Sequence, residues 1–160
     1  MTSSPAITFI AMPSDIAAAY RNGAADAYGM PPEQQISPGG GMPCRHCLGM
    51  IDAGAPYLIL AYRPFPALQP YAETGPIFLH AEPCEQHAGG AALPEILSSP
   101  DYIVRGYGAD DRIVYGTGAV TATEDIAARA ATLLEREDVA YVHVRSARNN
   151  CYQLRIDAIS

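Results

Sequence analysis

The sequence contains no lysine and no tryptophan. Its ten basic residues are all arginines, and they stand against 17 acidic residues, which gives a formal net charge of −7. Proteins that bind nucleic acids gain much of their affinity by neutralising phosphates with basic side chains. This balance therefore disfavours DNA or RNA as a partner. A local arginine patch that holds one phosphate or carboxylate is still compatible with it, because a guanidinium matches such groups in shape.

Long apolar runs are missing as well. No window approaches the ~20 apolar residues that a membrane-spanning helix needs. Residues 1–13 lack the basic start and the apolar stretch of a secretory signal. We therefore expect a cytoplasmic protein that does not associate with membranes. Thiols stay reduced in that compartment, so the four cysteines are interpreted as metal ligands, reactive thiols or core side chains before disulfides.

The composition that is present is typical of a folded domain. Hydrophobic residues make up 49% of the chain and charged residues 17%. A length of 160 residues predicts one domain, residues 1–160, with a core of its own. Glycine and proline, 14 of each, predict many turns. We predict an α+β fold, in which a mostly antiparallel sheet carries two or three helices on one face.

The hydrophobic pattern places the elements of this fold. Seven segments are typical of strands: 6–12, 57–63, 77–80, 102–107, 112–121, 139–146 and 151–159. Two segments, 15–27 and 124–136, are typical of helices, and 94–97 of a single helical turn. Residues 30–43 contain two adjacent prolines and three successive glycines, so they predict a loop. The last two strands form a hairpin, because Asn149 and Asn150 tolerate the backbone of a tight turn.

Four residues have the spacing of a zinc site. Cys44 and Cys47 form a C-x2-C pair, and after 32 intervening residues His80 and Cys84 form an H-x3-C pair. Three cysteines and one histidine are a standard tetrahedral set for zinc. Four protein ligands leave no open position for a catalytic water, so we predict a structural zinc within segment 43–87.

Other interpretations of the same residues stay open. The cysteines could pack as small hydrophobic side chains around a buried histidine. His46 or His87 could replace His80 as a ligand. Cys44 and Cys47 could also form a redox or metal-sensing pair. Reactive C-x2-C motifs lie at the start of a helix, and Gly54 and Pro56 leave no room for one here.

The C-terminal hairpin offers a second candidate site. Side chains alternate along a strand, so His143 and Arg145 share a face, as do Cys151 and Arg155 on the return strand. If the two faces coincide, this cluster could bind a small anion or lower the pKa of Cys151 and make it a nucleophile. Arg105 is a further candidate from strand 102–107. The competing interpretation is a solvated polar face.

Segment 43–87 resembles a treble-clef zinc finger of the poly(ADP-ribose) polymerase type. The resemblance consists of C-x2-C-x3-Ile-x2-Gly, then a strand, then Phe-x-His and a cysteine, and the matching residues are Cys44, Cys47, Ile51, Gly54, Phe78, His80 and Cys84. One extra residue separates the last two ligands. The DNA binding of those fingers is not implied, because this chain lacks their basic surface.

Nearly the whole chain is similar to a bacterial family known only as domain of unknown function 1203. The matching motifs are PCRHCLGMI, LAYRPF, PYAETGPIFLHAEPCE, VRGYG and YVHVRSARNNCY. This resemblance implies a shared fold and some shared site, and no reaction. The leading hypothesis is a zinc-stabilised binding or interaction protein whose partner is a small anion or a protein. The alternative is a small enzyme or anion-binding protein that uses the hairpin face, so enzymatic activity stays open.

Overall fold

The computed structural model describes residues 5–159. Residues 1–4 and 160, which belong to the predicted domain 1–160, lie outside the described residues. Residues 1–4 are also the start of segment 1–13, which we expect not to be a secretory signal. The elements, in chain order, are β1 (Ala6–Ile10), α1 (Ser14–Arg21), β2 (Glu33–Ile36), β3 (Pro56–Tyr62), β4 (Gly75–His80), β5 (Asp101–Tyr107), β6 (Ala119–Ala122), a 3-10 turn (Thr123–Asp125), α2 (Ile126–Leu134), β7 (Tyr141–Ser146) and β8 (Tyr152–Ile159).

The fold is mostly β, so the predicted α+β class is wrong. The strands form two antiparallel sheets: a five-stranded sheet in the order β1-β8-β7-β5-β6 and a three-stranded sheet in the order β2-β3-β4. Helix α1 ends at Arg21 rather than at residue 27, because Gly23 adopts a positive φ of 91°. Part of the predicted loop 30–43 extends along β3 as β2.

The predicted strand 112–121 is also shortened. Ile113 makes only an isolated bridge to Tyr107, and the regular strand begins at Ala119. Between them the chain turns at Gly116, whose φ of 90° favours glycine. The Thr117 hydroxyl contacts the Gly106 backbone N–H and the Val114 carbonyl, at 2.9 and 2.6 Å. These local bonds replace strand pairing.

The five-stranded sheet packs one face against α2. Ile126, Ala130 and Leu133 recur at helical spacing and are buried on the helix side. The sheet contributes alternate residues of its strands to the same core, among them Val104, Val142, Val144, Leu154 and Ile156.

The three-stranded sheet has a separate and smaller core. It contains Leu58 and Leu60 of β3, Ile77 and Leu79 of β4, and Ala17 of α1. The turn at residues 44–49 connects the two cores.

The residues of that turn divide between the two regions. Cys44, and Ile51 just after the turn, lie in the smaller core, whereas Leu48 lies in the larger one. Among residues 5–159, neither helix has the length and apolar character needed to cross a membrane.

Candidate metal centre

The first pair of candidate ligands lies on a tight turn. The Cys44 N–H donates to the Gly49 carbonyl at 2.9 Å, and the Leu48 N–H donates to the Cys44 carbonyl at 3.0 Å. Leu48 takes a left-handed backbone with φ of 56°, which reverses the chain directly after Cys47. The turn thereby brings the Cys44 and Cys47 side chains to one side.

The second pair lies at and just beyond the end of β4. His80 is the last residue of that strand, where it pairs with Tyr57. Arg21 of α1 contacts both residues of this pair. Its Nε donates to the His80 carbonyl at 2.9 Å, and its Nη2 donates to the Cys84 Sγ at 3.1 Å. Strand pairing and one arginine therefore position both residues.

The structure brings the four predicted residues together. One ligand atom from each of Cys44, Cys47, His80 and Cys84 lies within 4.8 Å of the others. The Cys44 and Cys84 Sγ atoms are 3.9 Å apart, and the Cys47 Sγ lies 3.6 Å from the His80 Nδ1. Zn–S bonds of ~2.3 Å and Zn–N bonds of ~2.0 Å place tetrahedral ligand atoms ~3.5–3.8 Å apart. The cluster therefore fits one tetrahedral cation.

The pKa values of the three cysteine thiols differ in this arrangement. Cys44 accepts hydrogen bonds from the Cys47 thiol and from backbone N–H groups of Cys47, His80 and His46, and these lower its pKa to about 4. The hydrogen bond to Cys44 raises the pKa of Cys47, and burial raises the pKa of Cys84. Cys44 is therefore the most acidic of the three thiols. A bound cation would displace the protons that the thiols still carry.

The two neighbouring histidines lie outside the four-residue cluster. The His46 Nδ1 lies 3.1 Å from the Cys84 Sγ, and its Nε2 lies 2.9 Å from the Ser14 Oγ. Burial, and then the charge of Arg21, lowers the pKa of His46. His87 accepts a hydrogen bond from the Gly89 N–H at 3.0 Å. His46 thus contacts a single sulfur from outside the cluster.

The polar face of the hairpin is the second predicted site, and the structure brings four of its five residues together. Arg105, His143 and Arg155 are cross-strand neighbours, and Arg145 follows on β7. Glu73 binds Arg105, and its Oε2 lies 3.6 Å from the Arg145 Nη1. We call these four predicted residues, all on the sheet face away from α2, the arginine face.

His143 lies at the centre of the arginine face and is 1% exposed. Four aromatic rings surround it at centroid distances between 4.7 and 5.1 Å, those of Phe65, Tyr107, Tyr141 and Tyr152. Burial, and then the charges of the three arginines, hold the pKa of His143 well below its ordinary value. The imidazole is therefore neutral near pH 7. Its Nδ1 and the Nε and Nη2 of Arg145 are buried without a hydrogen-bond partner in the described chain.

Cys151, the fifth predicted residue, does not join the arginine face. A register shift between Val144 and Arg145 places Arg145 opposite Tyr152. The ring of Tyr152 therefore occupies the position next to His143. Cys151 lies beside Ser146 and lines a cavity that it shares with Arg45. The alternation of the sequence contains no signal for this bulge.

Glu73 was not among the predicted site residues. Its partner Arg105 is 32 positions away along the chain, and no local pattern indicates a contact over such a separation. Asn150, which also contacts Glu73, donates from its Nδ2 to the Glu73 Oε2 at 3.1 Å. The carboxylate thus joins β5, β7 and the hairpin turn.

Comparison with known proteins supports the wider of the two resemblances. Curated proteins include no match to this chain, and solved structures include none either. The comparisons do not show the likeness of segment 43–87 to zinc fingers of the poly(ADP-ribose) polymerase type. The model of one family, described as a protein of unknown function (DUF1203), matches residues 41–158. This span covers both the cysteine–histidine cluster and the arginine face, and the chain therefore belongs to the DUF1203 family.

Proposed function

We propose that this protein is a zinc-stabilised binding protein, in which Cys44, Cys47, His80 and Cys84 hold one structural zinc ion. The observation that carries the proposal is the spacing of the ligand atoms. The separations of 3.9 Å between two sulfurs and 3.6 Å between sulfur and nitrogen match the edges of a tetrahedron around zinc. Four protein ligands complete that tetrahedron, so the ion has no position left for a catalytic water.

The surroundings of the cluster suit an anionic centre. Zinc with three thiolates and a neutral histidine carries one net negative charge. Arg21 and His46 both contact the Cys84 sulfur, and the His80 N–H contacts the Cys44 sulfur at 3.4 Å. Hydrogen bonds to ligand sulfurs fix their orientation and offset their charge. The ion would join the turn at residues 44–49 to the end of β4.

A redox or metal-sensing switch at Cys44 and Cys47 has less support. Reactive C-x2-C pairs of the thioredoxin type lie at the N-terminus of a helix, which helps to lower the pKa of the first thiol. Among the described residues, the chain after Cys47 passes through turns into β3 without a helix. The pKa of Cys44 is lowered instead by the hydrogen bond from the Cys47 thiol and by backbone N–H groups of Cys47, His80 and His46.

The test is the metal content of protein purified without an affinity tag or added metal, measured by plasma mass spectrometry. We expect about one zinc per chain, and a large fall in melting temperature on chelation. Cys47→Ser removes one ligand and should lose the metal. Cys151→Ser removes a cysteine outside the cluster and should keep it. A folded, metal-free wild-type chain with unchanged melting after chelation would contradict the proposal and favour the thiol switch.

The arginine face is a second candidate, as an anion-binding site. The supporting observation is the set of buried N–H groups without partners on Arg145, beside the unpartnered Nδ1 of His143. Buried polar groups of this kind are normally satisfied by a partner. An anion would supply acceptors for the Arg145 guanidinium. The single negative charge of Glu73 is divided between Arg105 and Arg145, so a net positive charge remains on the two arginines.

Nuclear magnetic resonance of the histidine ring tests this second candidate. Sulfate should shift the His143 signals in a saturable way, and chloride at equal ionic strength should not. Arg145→Met should abolish the shift, whereas Arg148→Met, on the exposed hairpin turn, should preserve it. An equal response of the His143 signals to both salts would contradict the anion site. Buried water would then be the partner of the buried N–H groups.

A further inference from the structure

A cavity of about 230 Å³ lies between the metal-binding turn and the β7–β8 hairpin. Arg45 on the turn and Met50 just after it contribute to the lining, and the hairpin contributes Cys151 and Gln153. None of these residues belongs to the cysteine–histidine cluster or to the arginine face. The cavity is therefore a separate feature of the molecule.

Arg45 supplies the only charge of the lining residues. Its side chain is deeply buried, with 3% of the residue exposed. Its Nε donates to the Tyr152 carbonyl at 2.8 Å and its Nη1 donates to the Pro43 carbonyl at 2.9 Å. Both acceptors are neutral, and no carboxylate among residues 5–159 pairs with Arg45.

This arrangement favours an anionic ligand. A buried cation is costly unless a negative charge and full hydrogen bonding compensate it. The two carbonyls fix the guanidinium in place, and its Nη2 donates to no acceptor in residues 5–159. A preoriented guanidinium with a free N–H edge suits a carboxylate or phosphate oxygen.

The remaining lining decides between those two groups. One positive charge balances a monoanion, whereas a phosphate dianion would leave a negative charge in a partly buried cavity. Met50, Phe78 and Ile96 form an apolar wall, which suits a carbon skeleton. Ser99, just before β5, and Asn149 of the hairpin turn add polar groups to the lining. A small organic acid has both properties.

We propose that this cavity binds a small organic monocarboxylate, with its carboxylate on Arg45 and its carbon skeleton beside the thiol of Cys151. The site goes beyond the proposed zinc centre and does not require it. Arg45 is positioned by two backbone carbonyls, and Cys151 is not one of the four clustered residues. The alternation of the sequence predicted that Cys151 lies beside Arg145. The bulge in β8 instead places Cys151 in the lining of the cavity that contains Arg45.

Alkylation of Cys151 by iodoacetate and by iodoacetamide tests this directly, because iodoacetate is itself a small monocarboxylate. In both reactions the sulfur–carbon bond forms as the carbon–iodine bond breaks. Iodide leaves with the bonding electrons, and the thiol proton goes to solvent. The rates are read at the Cys151 peptide by mass spectrometry, so the other cysteines do not interfere.

We expect the iodoacetate-to-iodoacetamide rate ratio at Cys151 to be about tenfold higher in the folded protein than in urea, as one charge-assisted hydrogen bond would give. Iodoacetate labelling should also saturate with reagent concentration, and propionate should compete with it. An equal ratio in folded and unfolded protein, with no saturation, would overturn the proposal. Protection by inorganic phosphate as strong as by propionate would overturn the assignment to a monocarboxylate.

Variants distinguish the cavity from general electrostatic attraction. Arg45→Met should reduce the ratio to the unfolded value while keeping the metal content of the wild type. Arg148→Met removes an exposed positive charge from the same hairpin and should leave the ratio unchanged. If Arg45→Met does not fold, saturation and competition in the wild type decide the question alone. Metal content measured on the same samples shows separately whether the zinc proposal holds.

Discussion

The two sheets of this molecule are stabilised in different ways. The five-stranded sheet packs against α2 around 16 buried hydrophobic residues. Among residues 5–159, the core of the three-stranded sheet has nine, and one of them is Cys44 of the cysteine–histidine cluster. Burial of apolar surface is the main stabilising contribution in a domain of this size. The larger sheet therefore has more apolar burial to stabilise it, whereas the proposed metal ion would supply the smaller sheet with a crosslink in addition to its core.

The turn at residues 44–49 limits how independent the two regions are. Leu48 is 1% exposed and packs in the larger core, only one residue after the candidate ligand Cys47. The Met12 N–H, next to β1, donates to the Arg45 carbonyl at 3.0 Å. A metal ion at this turn would thus stabilise the smaller region directly and the larger one through Leu48.

Metal removal should give the largest effect and the sharpest test of this comparison. We expect chelation to abolish hydrogen-exchange protection across residues 43–87, because the turn and the end of β4 would lose the proposed ion that joins them, and β3 pairs with β4. Strands β5, β7 and β8 should keep most of theirs. Exchange measured by mass spectrometry on peptides from both regions is the readout.

The Cys151→Ser chain is the matched control for that experiment, since it lacks a cysteine outside the cluster and should show the same two-region pattern. Simultaneous loss of protection in β7 and β8 would show that Leu48 makes the two cores one cooperative unit. Full protection in residues 43–87 after chelation would remove the distinction between the sheets.

A core substitution in the larger sheet should have the next largest effect. Leu154→Ala removes a side chain that is 1% exposed, and such truncations cost about 2–5 kcal/mol. The loss in the free energy of unfolding, measured by urea denaturation, should be similar with and without chelator. Val120→Ala on β6, where the side chain is 63% exposed, should change stability by no more than about 0.5 kcal/mol. A Leu154 effect that disappears without metal would contradict the division into two regions.

The local pattern of the sequence predicted most strands but not their division into sheets. Alternation and β-branched residues mark β3, β5, β7 and β8, and the hairpin turn at Asn150 is confirmed by its φ of 56°. The α+β class was wrong because two local signals were misjudged. Alanine-rich residues 22–27 favour a helix that Gly23 ends, and Glu33–Ile36 lack the hydrophobic alternation of a strand. That strand exists because β3 offers it a free edge.

The cysteine–histidine cluster was within reach of the sequence, because its four residues come in two local pairs. C-x2-C and H-x3-C constrain geometry over a few residues each. The arginine face was only partly predictable. Period-two alternation correctly groups His143 with Arg145, but the bulge near Val144 moves Cys151 away, and Glu73 comes from a distant loop. Bulges and long-range ion pairs depend on tertiary packing, which a single sequence does not display.

A smaller effect is expected from pH, through His143. Its pKa in the folded protein lies well below 6.5, because of burial and then of Arg145, Arg155 and Arg105. Below pH 6.5 the imidazole of His143 is protonated in the unfolded chain but stays neutral in the folded chain. The free energy of unfolding therefore falls as the pH falls. The slope is at most about 1.4 kcal/mol per pH unit, and above pH 6.5 this residue contributes none.

Urea denaturation at pH 7, 6 and 5 checks this expectation by comparing the wild type with His143→Phe. The variant should lack the additional slope, since a phenyl ring fits among the aromatic neighbours and does not titrate. His87→Gln is the control, because His87 lies outside both sites, and it should keep the wild-type slope. Parallel pH profiles for wild type and His143→Phe would mean that the folded chain accepts the proton.

The smallest effect concerns the hairpin turn that sets the register of β7 and β8. Asn150 has a left-handed backbone, which costs an alanine about 1–2 kcal/mol and glycine nothing. Asn150→Gly and Asn150→Ala both lose the hydrogen bond to Glu73, so the difference in their free energies of unfolding reports the backbone strain of alanine less the extra backbone entropy that glycine loses on folding. We expect the alanine chain to be less stable by about 1 kcal/mol. Equal stability would mean that the turn can relax, and the register that separates Cys151 from Arg145 would then rest on strand packing alone.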